Sequence, residues 1–240
     1  MNNNKIKVEI WTDVMCPFCY IGKKKFEAGL EQFAHKDKVQ VVWKSFQLNP
    51  NLQTDETLSL NAYMAKRKGV SIEEAAEMNT GAVKKATTVG LHYNMDKVIP
   101  ANTLKAHQFA HFAKKHSLQS EAEELLFRSY FIDGKNIDNT STLLQLVTEL
   151  GLSTDEFKTA LDKQSYLADV KADIQEAKEL DIRMIPHFLV NRKYVVSGSY
   201  DSQTFTDILT KAYNEDQQAT SPSNFEVTNG ESCSMDGNCD

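Results

Sequence analysis

Thr12-Asp13-Val14-Met15-Cys16-Pro17-Phe18-Cys19-Tyr20-Ile21-Gly22 is the stretch of the 240-residue chain in which residue type and spacing together specify a chemistry. Before it, residues 5–11 alternate charged Lys5, Lys7 and Glu9 with apolar Ile6, Val8 and Ile10, which is strand periodicity. After it, Phe26, Leu30 and Phe33 recur at helical intervals. The two cysteines therefore stand where a strand hands over to a helix. Proline suits the first helical position, since its missing N–H would have had no intrahelical partner there, so Cys16 is the expected N-cap and Cys19 falls one turn inside. Cys16 then sits at the positive end of the helix dipole among unpaired backbone N–H groups, a setting that favours a nucleophilic sulfur. Cys19 is close enough to attack a disulfide formed at Cys16. This is the pattern of a redox pair in which Cys16 attacks and Cys19 resolves.

A metal is the competing use of such a pair. Structural zinc needs four ligands, usually from two short-spaced pairs, and the other cysteines of the chain, Cys233 and Cys239, have five residues between them near its end. Pro17-Phe18 also preorganises a helix start rather than a turn that wraps a metal, so no metal is expected, and a zinc-stabilised binding module using all four cysteines is the alternative of a different class. His107 and His111 have the i, i+4 spacing of a zinc-protease helix, but Gln108 stands where the general-base glutamate would be. His107 is expected instead to line a groove over the cysteines and meet substrate. Asp13 reads first as a turn residue.

The formal charge of −6 argues against nucleic acid as a partner, and no apolar run is long enough to span a bilayer. Residues 1–5 lead into a strand without a signal-peptide core, which makes the cytoplasm the expected location. Structural disulfides are disfavoured there, so a C-x-x-C is more readily catalytic or metal-binding. Lys23-Lys24-Lys25 reads as the solvated face of the first helix.

Outward from the cysteines, residues 39–46 form a second strand with Val41 and Val42 at its heart, giving a βαβ start. After Asn49-Pro50-Asn51 the period stays helical for more than a hundred residues: 57–68, then a helix opened by the capping box Ser71/Glu74, an interruption at 91–100, and helices over 102–116, 121–131, 141–150 and 154–161, the last with a second box at Ser153/Glu156. Residues 165–180 carry Leu167, Val170, Ile174 and Ala177 on one face, which should pack on the sheet. Residues 188–190 and 194–196 read as strands of a hairpin, and 202–213 as a last helix. A central first strand should be mainly apolar, and Lys7 and Glu9 conflict with that.

Asp13-x-x-Cys16-Pro17-Phe18-Cys19-x-x-Gly22 resembles the active-site block of the DsbA family of thiol–disulfide oxidoreductases, in particular its cytoplasmic FrnE-like branch. Met184-Ile185-Pro186-His187-Phe188-Leu189-Val190-Asn191 with Val195-Val196-Ser197-Gly198 resembles that family's second signature, and Pro100-Ala101-Asn102-Thr103-x-x-Ala106-His107 is similar to a feature of the branch's insertion. The resemblance runs from about residue 5 to residue 214. It implies an α/β, thioredoxin-like fold with a large all-helical insertion: a first half over 1–50, an insertion domain over 51–164, a second half over 165–214, and a linker and Cys-containing tail over 215–240. It further implies dithiol–disulfide exchange with protein or peptide substrates, no bound cofactor, and a cis Pro186 that joins Ile185 in offering a backbone edge to the substrate. Pro17 and Phe18 would add apolar contact. Glutathione is a further candidate partner, because the kappa-class transferases and hydroxychromene-carboxylate isomerases are similar in fold; a glutathione-dependent isomerase or transferase is thus the alternative enzyme, although those relatives typically carry serine where this chain keeps a cysteine pair. Oxidant, reductant and isomerase roles all stay open at this point.

Residues 214–224 are polar and rich in breakers, and read as a linker. Beyond them Cys233 and Cys239 flank Asp236-Gly237, a favoured turn dipeptide that would bring the two sulfurs together as an auxiliary redox pair exchanging with Cys16 and Cys19.

Overall fold

The computed structural model describes residues 5–218, 226–229 and 233–234, with side chains through residue 216. It begins β1 (Ile6–Thr12), α1 (Pro17–Gln32), β2 (Val39–Ser45), with β1 and β2 parallel from Ile6↔Val39 to Thr12↔Ser45. Six helices follow: α2 (Leu60–Lys68), α3 (Ile72–Thr87), α4 (Leu104–Lys115), α5 (Gln119–Phe131), α6 (Thr140–Glu149) and α7 (Thr154–Asp162). The chain returns through α8 (Leu167–Glu179), β3 (Met184–Ile185), β4 (His187–Val190), β5 (Tyr194–Ser197) and α9 (Ser202–Gln218), then β6 (Glu226–Asn229) and β7 (Cys233–Ser234). One sheet has the order β2-β1-β4-β5-β6, and β3 pairs with β7. This is the thioredoxin-like α/β fold with a helical insertion between its halves. Among the described residues no helix is long and apolar enough to cross a membrane.

The conflict at β1 has a local resolution. The strand lies between β2 and β4 and is buried except at Lys7. Glu9 is 1% exposed and pairs with Lys7 at 2.9 Å and with Arg192, a residue of the β4–β5 turn. Asn191 and Arg192 both take positive φ there, 48° and 55°, which turns the hairpin tightly enough to bring the guanidinium back over β1. A buried carboxylate is tolerable only when paired in this way.

Caps set several boundaries. Ser71 and Glu74 form the reciprocal capping box expected of them. The second box is only half made: Ser153 Oγ accepts from the Glu156 N–H, but the Glu156 carboxylate accepts from Lys115 Nζ at 3.0 Å instead. α2 starts at Leu60 rather than 57, because the Asp55 carboxylate holds Thr57 in a turn and Ser59 is the N-cap. Val170 and Ala177 of α8 are buried, and so is Asp173, which accepts from Lys44 Nζ (2.8 Å) and the Ser45 N–H (3.0 Å) of β2.

Two further expectations are corrected. Lys23 is not on a solvated face: it is 2% exposed, bound to Glu27 and to Glu124 of α5, because α5 packs along that side of α1. Residues 214–218 are not linker, since α9 continues through Gln218; residues 219–224 lie outside the described ones. The core has two parts, both anchored on α1. Phe18, Tyr20 and Ile21 join the helices of the insertion, whereas Phe26 packs with Phe188 and Phe205 between the sheet and α9.

Candidate active site

Where β1 ends, the chain must turn before α1 can start, and Asp13 makes that turn. Its carbonyl accepts from the Cys16 N–H (3.0 Å), and its Oδ2 accepts from the Leu48 N–H (2.7 Å), tying the loop to the segment after β2. Cys16 is the N-cap of α1 in extended backbone, with Pro17 at the first helical position. Cys19 lies one turn in, its N–H donating to the Cys16 carbonyl at 3.1 Å. Both cysteines are buried with free thiols.

The second signature arrives from far down the chain. The Ile185–Pro186 bond is cis, and the Cys16 thiol points at the Ile185 carbonyl with Sγ···O 3.9 Å. The Pro186 carbonyl accepts from the Gly198 N–H at 2.7 Å, so the end of β5 holds the proline in place. Gly22 faces it from α1: a Cβ there would stand 2.8 Å from Pro186 Cγ. That close approach explains a glycine one turn beyond Cys19. Phe18 is buried, with Lys85 Nζ 5.4 Å from its ring centre.

The insertion contributes Tyr93, whose hydroxyl donates to the Pro17 carbonyl at 2.7 Å while its ring stacks on Tyr20 and Phe131. Behind the cysteines lies a buried ionisable group of three: Asp13, His107 of α4 and Glu123 of α5. His107, expected to line the groove, is 2% exposed and stands with Nε2 3.5 Å from Asp13 Oδ1. Burial pulls its imidazole down, but Asp13 and then Glu123 outweigh that and raise its pKa. Burial pushes Glu123 up to about 7, against the opposing pull of His107 and Lys23. Burial, and then the neighbouring Cys16, push the Cys19 thiol well above the ordinary range. His187, next to Pro186, is lowered by burial to about 4 and so is neutral at pH 7. The second histidine of the i, i+4 pair, His111, is engaged with Asp173 (3.0 Å) and Ser45 Oγ (3.2 Å).

Cys16, Pro17, Phe18, Cys19, Ile185 and Pro186 are thus gathered at one end of the sheet. The backbone of Cys233 lies there too, in β7, opposite Ile185, while Cys239 is outside the described residues. Tyr93, Glu123 and Glu124 carry no signal in the sequence: each matters through a partner about 70 to 110 residues away. A buried cysteine pair with one sulfur at a helix start and the other protonated inside can form and resolve a mixed disulfide.

Residues 7–210 match the model of the DSBA-like thioredoxin domain. A crystal structure of a probable DsbA oxidoreductase from Streptomyces coelicolor superposes with a TM-score of 0.81 at 30% identity, covering 98% of each chain. An uncharacterised protein of Bacillus subtilis, YwbO, is 29% identical over 218 residues, which is 89% of this chain and 98% of that one. The cytosolic disulfide reductase DsbM from Pseudomonas aeruginosa, in a structure with GSH, shares the fold at 14% identity and a TM-score of 0.59, over 88% of this chain and 98% of that one.

Proposed function

The chain belongs to the family of the DSBA-like thioredoxin domain, and from that premise we propose that it exchanges disulfides with protein or peptide substrates as a dithiol–disulfide oxidoreductase or isomerase, with Cys16 and Cys19 as its working thiols. The observation that carries this reading is the meeting of the Cys16 thiol with the Ile185 carbonyl, next to cis Pro186, at the start of α1.

The Cys16 thiolate attacks one sulfur of a substrate disulfide, that S–S bond breaks, and the far sulfur leaves as a thiolate that takes up a proton. Cys19 then gives up its proton and attacks Cys16 Sγ, closing the Cys16–Cys19 bond and releasing the second substrate thiol. The substrate gains two electrons from the chain and two protons, one taken up from water and one given up by Cys19; the reverse sequence oxidises a dithiol. The high pKa of Cys19 keeps it a thiol until the mixed disulfide brings it into play. Ile185 and Pro186 offer the backbone edge for the substrate strand, and Pro17 and Phe18 its apolar border. His107, buried beside Asp13, acts by positioning the active-site loop. Glutathione is the candidate small thiol partner and the cytoplasm the expected site of action, both in line with the DsbM neighbour; a redox titration against glutathione and cell fractionation address these two points.

Trapping tests the roles. Cys19→Ala should accumulate mixed disulfides with substrate proteins in cell extract, because Cys16 can still attack but cannot be released, while Cys16→Ala should trap nothing. Equal trapping by the two variants reverses or removes the assignment.

A further inference from the structure

Pro17-Phe18, the dipeptide between the two cysteines, carries no charge of its own, yet the insertion lays a cation on it. We infer that Lys85 selects substrates with a carboxylate next to the disulfide, an acidic class of peptide; this rests on the disulfide-exchange reading above. Two side chains of the insertion are anchored on that dipeptide. The Tyr93 hydroxyl donates to the Pro17 carbonyl at 2.7 Å, and the Lys85 ammonium stands 5.4 Å from the centre of the Phe18 ring. The first contact fixes a wall of the site, and the second brings a charge to its border.

The way α3 ends decides where that charge goes. Lys84 and Lys85 both lie in its last turn, where the carbonyls of the helix end favour a cation, while Glu73 and Glu74 lie in its first turn, at the far end. Lys84 is exposed and meets that preference in solvent, whereas Lys85 is half-buried against Phe18. A lysine so placed lays its aliphatic stem along apolar surface and keeps its ammonium toward water, and the negative face of the ring attracts the ammonium and holds it. The cation is therefore fixed over the residue that separates Cys16 from Cys19.

The other groups around the cysteines leave this charge its effect. On the opposite wall Ile185 and Pro186 are apolar, and His187, edge-on to Trp11, is neutral at pH 7. The acids behind the cysteines are engaged elsewhere: Asp13 is buried, with one oxygen on the Leu48 N–H and the other facing His107, and Glu124 binds Lys23, Lys24 and the Tyr20 hydroxyl. The chain as a whole is acidic, with a formal charge of −6, so its attraction for an acidic substrate has to be local. That makes the preference a property of the side chain at 85, acting on binding rather than on the exchange step itself. Oxidised glutathione carries carboxylates as well, so the peptide and the small thiol have to be separated by experiment.

The test mixes the reduced full-length chain, in single turnovers, with peptide disulfides that differ only in the residue beside the cysteine, which is Glu, Gln or Lys. The Glu peptide should react about three- to ten-fold faster than the Lys peptide in the second-order rate constant at low salt, with the gap closing in about 0.5 M salt. Lys85→Gln should erase that ratio, Lys85→Glu invert it and Lys85→Arg keep it, and the exposed neighbour variant Lys84→Gln should keep it too. Loss of packing over Phe18 alone would slow every peptide alike. Equal rates of the parent on all the peptides, or a ratio that Lys85→Glu leaves unmoved, overturns the inference, and so does an effect of Lys85→Glu confined to oxidised glutathione as a further substrate. Failure here is distinct from failure of the disulfide-exchange reading, which shows as no reduction of any of these substrates and takes the inference with it.

Discussion

A single hydrogen atom at Gly22 sets how near α1 comes to Pro186, since a methyl group there would meet Pro186 Cγ at 2.8 Å. Gly22→Ala gains about 1 kcal/mol of helix propensity but forces apart two rigid groups, and overpacking of this kind costs about 1–3 kcal/mol. We expect a net loss of stability in urea denaturation together with a drop in turnover, because the same wedge separates Cys16 from Ile185. A variant as stable and as active as the parent would remove Gly22 from this role. At this scale the sequence was readable where chemistry is local: Cys16, Pro17 and Cys19 lie as their spacing predicts. It was unreadable where a side chain is defined by a distant partner. Lys23 reads as solvated because its neighbours are Lys24 and Lys25, and nothing near it announces Glu124. His107 reads as a groove residue, yet Asp13 and Glu123 make it part of a buried charge group.

Among the elements, the helical insertion meets the active-site helix at Glu124, which binds Lys23 and Lys24, and through the hydroxyl of Tyr93 on the Pro17 carbonyl, set on a stack of aromatic rings. Tyr93→Phe should keep the stack and lose the hydrogen bond, costing about 1 kcal/mol, while Tyr93→Ala should lose both and cost about 3–5 kcal/mol. Urea midpoints of the two variants check this: no loss in Tyr93→Phe would show that the hydroxyl contributes nothing, and equal losses in the two would show that the ring adds nothing to it. Most elements were legible because apolar period and caps agree, as at Ser71 and in the α8 stripe. β3, β6 and β7 were not. Two or four residues carry no period, and such strands exist only through the edges of β5 and β3 that they join.

For the whole molecule the buried charges predict how stability varies with pH. Burial opposes ionisation of Glu124, but Lys23 and Lys24 prevail and hold it down to about 2, so stability should rise as pH climbs from about 2 through 4.5. Glu123 has the opposite sign. Folded, it keeps its proton up to about 7, whereas unfolded it releases it near 4.5, so stability should fall across that window, and His107, raised above 6.5, extends the fall. Maximum stability is expected near pH 5. Glu123→Gln should flatten the decline and be more stable than the parent above pH 7 by up to about 3 kcal/mol, the equivalent of a difference of about 2.5 pH units. Urea titrations at pH 5, 6, 7 and 8 test it, and parallel profiles for parent and variant would reject it.

The antiparallel pairing of Val8 with Val190 has a consequence for synthesis. β1 leaves the ribosome well before β4: Val190 follows Val8 by 182 residues, which at ordinary elongation rates is a wait of roughly 10–35 s. During that interval α2 to α7 can find one another, since their contacts are mostly local, while β1 has only β2 beside it. The two thiols are therefore born long before the strand that will face them. A nascent chain of this protein passes through a stage in which Cys16 and Cys19 are present but the backbone at Ile185 and Pro186 that comes to face them has not yet been translated.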